Sequence, residues 1–385
     1  MKPRILHVIK TLELGGAETN LRNLLQAFDP EKFEHHIAYA FGGEIEDFFR
    51  KNPVAVLYRY SRGKHRNTSL HSLLIIARLW FYIVSRRIRV VHTHNFNAHF
   101  WGVYAAKLTG AKVVEHVHDQ RYLDIRELER RKSSANLNRY IGMFKGLSDR
   151  VVVLTGQNKR FLIEKGFYPE KKVKIILNGI PMPADTSSTR ESAARELGFD
   201  PNIPVVLVAS RMIPLKNFDL VLRIAPAVAR QVPDVLFLAA GNGECLEEYK
   251  KEAARMDLGK NLRFIGYYAD IDRLLRACDI YFQPSFLELH SISILEAMSV
   301  GVPVVASSGV GSNSEIYTHE KDAFLLDPFS EEGWAEVLVR LLKDAGLRRA
   351  LGKNGQELCR RRFDIHRTAA AFEALYEELG AAPKR

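Results

Sequence analysis

Two glutamates, Glu288 and Glu296, stand eight positions apart in the run Pro284-Ser-Phe-Leu-Glu288-Leu-His-Ser-Ile-Ser-Ile-Leu-Glu296-Ala-Met. A carboxylate accepts two hydrogen bonds from neighbouring hydroxyls. A pair at this spacing therefore suits a ligand that carries a sugar and a ribose. The pattern around them predicts strands at 280–283 and 302–306 with a helix over 293–299 between them. It puts Glu288 ahead of the helix and Glu296 about two turns further on. In an open parallel α/β sheet, ligands bind in the crevice beyond the strand ends.

Three further groups carry candidate chemistry. Ser210-Arg211-Met-Ile-Pro-Leu-Lys216-Asn217 follows a predicted strand at 205–209. Its arginine and lysine can clasp a diphosphate, the first bidentately and the second as a point charge. The plainer alternative is a solvated loop with two surface cations. Gly241-Asn242-Gly243 closes the next strand and brings backbone near a phosphate or base, or simply turns the chain. Tyr267 and Tyr268 end the following strand, where an aromatic ring either stacks on a base or packs. In the first half, Gly15-Gly16-Ala17-Glu18 opens the first predicted helix, whose N-terminus favours an anion. It is neither a Gly-x-Gly-x-x-Gly fingerprint nor a P-loop.

Ten of the thirteen histidines lie before residue 119. His92-Thr-His94 on a strand points both rings to one face, and His99, His116, His118 and Asp119 could extend the group into a metal site. No Asp-x-Asp metal-nucleotide motif accompanies them, and the expectation is that no metal is bound.

The elements that must position these residues form two α/β halves. Candidate strands at 5–9, 36–40, 54–57, 90–93, 113–116, 151–154 and 173–176 alternate with helices at 17–27, 45–51, 69–85, 98–108, 139–146 and 157–165. A Pro/Gly/Ser-rich stretch at 178–189 reads as the linker. A second alternation follows, with strands at 205–209, 235–239, 262–265, 280–283, 302–306 and 324–326 and helices at 218–229, 245–256, 271–277 and 293–299. The remainder, 331–379, is helical in pattern. The expected domains are 1–180 with a returning helix at 365–385, and 181–364.

The segment from Glu288 to Ala306 resembles the donor-binding signature of family 4 retaining glycosyltransferases, which have the GT-B fold. Their pattern is a glutamate, seven residues, a second glutamate, Ala-Met and a Gly-x-Pro-Val-Val strand. Here it reads Glu288, Glu296, Ala297-Met298 and Gly301-Val-Pro-Val-Val. The Gly15-Gly16-Ala17-Glu18 loop and the Arg211-x4-Lys216 pair are similar to family motifs as well, and Ser307 to Ile316 is similar to a structural turn containing Glu315.

The resemblance implies two Rossmann-like parallel-sheet domains facing each other across a cleft, with a C-terminal helix crossing back to the first. It implies a metal-independent retaining transferase that moves a hexosyl or N-acetylhexosaminyl group. The donor would be a nucleotide-diphosphate sugar, a UDP-sugar by preference, and the acceptor lipid-linked or saccharide, in cell-surface polysaccharide or lipopolysaccharide biosynthesis. No cofactor is implied. Arg211, Lys216 and the backbone at Ser291, Ile292 and Ser293 would hold the diphosphate, Glu296 the ribose and Glu288 the sugar ring. Gly15 and Gly16 would lie near the donor phosphate, Gly241, Asn242 and Tyr267 near phosphate or base, and His118 opposite the donor sugar. His118, Arg211, Lys216 and Glu288 would carry the catalytic roles. Two departures stand out. Leu289-His290 replaces the family's Gly-Phe, and Asn178-Gly-Ile-Pro181 replaces Asn-Gly-Ile-Asp. A nucleotide-sugar 2-epimerase shares the architecture and is the alternative within the fold.

At 46% hydrophobic and 26% charged residues, the composition is that of a soluble globular protein. The start carries no secretory signal, and the three scattered cysteines read as thiols in a reducing cytoplasm. Residues 1–180 carry a formal charge of +15 and residues 181–385 one of −4. No acidic residue occurs between Asp47 and Glu115, an interval with twelve Lys/Arg. Such a field attracts an anionic surface. The apolar run 73–84, with Trp80, Phe81 and Tyr82, reads as a helix packed on the sheet with a basic solvent side, or as an amphipathic helix lying on a membrane. The expected location is cytoplasmic, peripheral on the inner face of the cytoplasmic membrane. A basic nucleic-acid-binding module is the distant alternative. Long apolar runs interrupt the basic residues, and no nucleic-acid motif appears.

Overall fold

Apolar runs alternating with helices build one parallel sheet in each of two units, Met1–Pro181 with Ile365–Arg385, and Met182–Asp364. The computed structural model describes residues 2–13, 15–61, 69–118, 146–183, 189–311 and 313–381. The expected helix at 139–146 lies almost wholly outside these, as do Asp119 and part of the linker.

The first unit holds β1 (Arg4–Val8), β2 (Glu34–Tyr39), β3 (Val56–Arg59), β4 (Ile88–His94), β5 (Lys112–His116), β6 (Arg150–Val153) and β7 (Val173–Ile175). Their spatial order is β3-β2-β1-β4-β5-β6-β7, all parallel, so the order reverses between β1 and β4. Its helices are α1 (Gly16–Ala27), α2 (Glu44–Lys51), α3 (Ser69–Ser85), α4 (Phe96–Lys107) and α5 (Gly156–Glu164). The chain's last helix, Ile365–Glu378, closes this unit. Its Ile365, Ala369, Phe372, Leu375 and Tyr376 enter one core with Ile5, Leu21 and Leu24. Ile365 N donates to Ile180 O at 2.9 Å. A Cβ on Gly179 would stand 2.8 Å from Ile365 Cα, which is why the smallest residue sits there.

α3 departs from the simpler expectation. Ile75, Leu79, Tyr82 and Ile83 are buried, yet the opposite side exposes Leu70, Leu73, Leu74, Phe81 and Val84 rather than a row of cations. The helix is apolar on both faces. Among the described residues no helix is long and apolar enough to cross a membrane.

The second unit contains β8 (Val205–Ala209), β9 (Leu236–Ala240), β10 (Leu262–Gly266), β11 (Ile280–Gln283), β12 (Leu287–Glu288), β13 (Val304–Ser307), β14 (Val310–Gly311) and β15 (Phe324–Leu326). Its helices are α6 (Arg190–Glu196), α7 (Phe218–Gln231), α8 (Leu246–Arg255), α9 (Ile271–Ala277), α10 (Ile292–Ser299), α11 (Asn313–Ile316), α12 (Trp334–Lys343) and α13 (Ala345–Arg362). The main sheet runs β10-β9-β8-β11-β13-β15, and the order reverses between β8 and β11. Strands such as Val205–Ala209 are apolar at every position because helices cover both faces of a parallel sheet. The two-residue strands β12 and β14, absent from the sequence expectation, pair with each other in parallel.

Candidate active site

The loops after β8 and β11 leave the second sheet at its reversal, the place where open α/β sheets take ligands. Asn217 binds these loops together. It sits in the left-handed region (φ 54°, ψ 41°), which asparagine tolerates better than most residues. Its buried amide donates to Pro284 O at 3.1 Å and Pro328 O at 3.2 Å. Phe286 N donates to Leu215 O at 3.0 Å, and β14 holds β12 straight. The result is an ion pair between Lys216 Nζ and Glu288 Oε1, with the two side chains only 14% and 10% exposed. Arg211 stays exposed on the same loop.

α10 begins beside this pair. Ser291 caps it, and Gln283 Nε2 donates to Ser291 Oγ at 3.0 Å and Ser293 Oγ at 3.1 Å. The start of a helix favours an anion. Glu296 lies half-buried in the second turn of α10. Burial pushes the Tyr281 phenol far above its usual range, and the charges of Glu288 and Glu296 add to that shift. Both carboxylates therefore act on one phenol, whose oxygen donates to Ala209 O at 3.0 Å.

Asn217 and Tyr281 are the positions that reading the sequence did not single out. The Asn after Arg211-x4-Lys216 was a visible signal, whereas Tyr281 reads as an ordinary strand aromatic. His290, the departure from the family motif, turns away from this loop's surface into the core. Its ring packs edge-on to Phe363 at 5.2 Å, and burial, aided by Arg362, lowers it to about 3.

The glycine turn after β9 is fixed by close backbone approach. Gly241 has φ 136°, and a Cβ there would fall 1.9 Å from Ser210 O. Gly241 N donates to Gly266 O at 2.7 Å and Met212 N to Asn242 O at 2.9 Å. The loops after β8, β9 and β10 thus form one ledge, with Asn242 and Tyr267 exposed on it. Glu315 lies exposed in the first turn of α11.

In the first unit, Gly15 precedes α1 in extended conformation, and a Cβ on it would come 2.5 Å from Glu18 Oε2. Gly16 faces open space. His118, two residues past β5, is partly buried, and His94 Nδ1 lies 3.2 Å from its Nε2. His7, His92, His94 and His116 are fully buried. The last helix covers them, with Tyr376 Oη 2.7 Å from His92 Nδ1 and Phe372 5.0 Å from both the His92 and His116 rings. Burial, reinforced by neighbouring imidazoles, holds these four well below the ordinary histidine value, and burial takes His118 to about 3. Two triplets, His7/His92/His94 and His94/His116/His118, bring ring nitrogens within 4.8 Å of one another. That is close enough for a transition metal or for shared protons.

The model for Glycosyltransferase Family 4 matches residues 14–182, and the model for Glycosyl transferases group 1 matches residues 189–358. The chain belongs to glycosyltransferase family 4. It is an enzyme of the glycosyltransferase class. One similar protein is an Escherichia coli UDP-Gal:alpha-D-GlcNAc-diphosphoundecaprenol alpha-1,3-galactosyltransferase, 25% identical over 98% of this chain and 97% of its own. Another is the D-inositol 3-phosphate glycosyltransferase of Salinispora tropica, 30% identical over 61% of this chain and 52% of its own. Among solved structures, Anabaena HepE (Alr3699) in complex with UDP-glucose superposes with a TM-score of 0.84 at 21% identity, covering 97% of this chain and 99% of that one. WaaG, a glycosyltransferase involved in lipopolysaccharide biosynthesis, gives 0.75 at 16% identity, covering 97% and 99%. At these identities the structural likeness establishes the fold, which is GT-B.

Proposed function

We propose that this transferase takes its sugar from a nucleotide-diphosphate sugar held by the second unit, with UDP the favoured nucleotide. Lys216, Arg211 and the start of α10 hold the diphosphate. Glu296 accepts from the ribose hydroxyls and Glu288 from the sugar. The observation that carries this reading is the Lys216–Glu288 pair beside the capped start of α10. It sets a cation, a helix N-terminus and a carboxylate side by side, with the second carboxylate one turn into the helix.

The sugar–phosphate bond breaks as the sugar carbon bonds the acceptor oxygen on the same face. The departing phosphate oxygen takes the acceptor's proton. The configuration is therefore retained, and the two cations neutralise the leaving group in place of a metal. A nucleotide-binding HepE among the structural neighbours supports the donor class.

The acceptor is lipid-linked or a saccharide, in cell-surface polysaccharide assembly. The undecaprenol substrate named for the Escherichia coli relative favours a lipid carrier. So does α3, which exposes Leu70, Leu73, Leu74, Phe81 and Val84 and is followed in the chain by the exposed Arg86, Arg87 and Arg89. Apolar side chains with flanking cations suit the surface of an anionic bilayer at the inner face of the cytoplasmic membrane.

The test is transfer from UDP-galactose, UDP-glucose and UDP-N-acetylglucosamine to GlcNAc-diphosphoundecaprenol in anionic liposomes, with and without a chelator. An α-linked product formed equally in both is expected. Release of an epimerised nucleotide sugar without acceptor would instead favour the epimerase.

A further inference from the structure

Four imidazoles of the first unit stand in series across four adjacent strands. His35 Nδ1 lies 3.0 Å from His7 Nε2, His7 Nδ1 3.1 Å from His94 Nε2, and His94 Nδ1 3.2 Å from His118 Nε2. His35, His7 and His94 belong to β2, β1 and β4, and His118 follows β5; these four strands neighbour one another in that order. The series starts in the core, where His35 stacks on Phe28 at 4.4 Å. It ends at His118, beyond the carboxyl end of β5.

A neutral imidazole has one N–H and one lone pair. Each of the three contacts joins an Nδ1 to an Nε2, so each needs one proton. Only two arrangements satisfy all three, with every ring protonated at Nδ1 or every ring at Nε2. The blind end separates them. His35 Nε2 is buried without a hydrogen-bond partner. Protonation at Nε2 throughout would strand an N–H among aromatic carbons, the rarer outcome in folded proteins. Protonation at Nδ1 throughout leaves only a lone pair there and delivers an N–H at the opposite end.

We propose that His35, His7 and His94 lock His118 in its Nδ1–H tautomer, so that it presents a fixed hydrogen-bond donor to a substrate oxygen at this edge of the sheet. This rests on the reading of His118 as a substrate-facing residue. His35, His7 and His94 are positioning residues. Burial keeps the rings neutral, so the series carries one proton per contact.

The experiment is two-bond proton–nitrogen correlation NMR of the whole chain labelled with 15N-histidine, His118 being assigned by loss of its signals in His118→Gln. Wild type should show His118 protonated at Nδ1. His7→Asn, which keeps an amide donor at the Nδ1 position, should preserve that pattern. His7→Leu, which leaves His94 Nε2 unserved, should move His118 to a mixture of tautomers. With it, kcat should fall about tenfold while His7→Asn stays within about twofold, the size of one hydrogen bond lost in the transition state. If His7→Leu does not fold, His35→Leu at the blind end replaces it.

His118 protonated at Nε2 in wild type overturns the proposal. So does a His118 signal indifferent to a folded His7→Leu, an unchanged kcat in that variant, or a stoichiometric transition metal bridging His94 and His118 in the purified protein. The spectra need no ligand. Failure of every UDP-sugar to bind, alongside the expected tautomers, would sink the donor reading and leave the lock supported.

Discussion

Acid should unfold the first unit before the second, and the margin follows from the buried rings. His7, His35, His92, His94 and His116 lie within that unit, none more than 5% exposed. Burial first, and neighbouring imidazoles second, hold all five below the ordinary value, His35 at about 3. An unfolded chain titrates them near about 6.5. The fold prefers the neutral ring, so its contribution is intact above that value and is lost as pH falls towards the depressed one. At pH 5.5 each ring costs about 1.4 kcal/mol, and five together about 7 kcal/mol. That is comparable with the whole stability of a domain. Hydrogen exchange read by mass spectrometry at pH 7.5 and 5.5, corrected for intrinsic rates, follows both units at once. Peptides from β1, β4 and β5 should lose protection at the lower pH while those from β8, β9 and β11 keep theirs. Equal protection of the first unit at both pH values, or earlier loss in the second, would refute the assignment of these rings as neutral.

Lys216→Met should leave Glu288 a largely buried, unpaired charge, costing about 3 kcal/mol in urea unfolding. Adding Glu288→Gln should recover most of that stability, yet both variants should transfer sugar at least about 100-fold more slowly. Glu296→Ala should slow transfer to a similar degree and raise the dissociation constant for UDP in calorimetry, since it removes the ribose acceptor. Gly241→Ala forces a Cβ onto Ser210 O at a backbone angle that side chains rarely adopt, and should cost about 3 kcal/mol or more with loss of UDP binding. Glu115 behaves oppositely to the histidines. Burial raises its carboxyl to about 7 against the hydrogen bonds of Ser148 and Tyr168, so its contribution is full below 4.5 and is lost as pH rises from there through about 7. Glu115→Gln should therefore gain thermal stability relative to wild type between pH 5 and pH 8.

The two-unit α/β architecture was legible because buried parallel strands read as unbroken apolar runs, as in Val205–Ala209. Glu288, Glu296, Arg211 and Lys216 stood out by type and spacing. That Lys216 meets Glu288 was not legible, because the pairing depends on the left-handed Asn217 and on strands of two residues. Strand parity put His92 and His94 on one face, but His7 and His35 join them only through the register of β1 with β4 and β2. The third strand, expected at 54–57, runs Val56–Arg59 because His36 of β2 pairs with Val56. α3 misled most. Its composition names an apolar helix, while which of its sides meets the sheet depends on tertiary packing.

The return of the chain's last helix to the first sheet has a consequence for synthesis. Phe372 and Tyr376 roof the histidines, yet they leave the ribosome after all of Met182–Asp364. The first unit must wait, with imidazoles and apolar strands bare, while a contiguous second unit can fold as soon as it emerges. A nascent chain of this protein therefore carries its most vulnerable surface in the part made earliest, and that surface stays unroofed until Ile365–Glu378 has emerged behind the whole second unit.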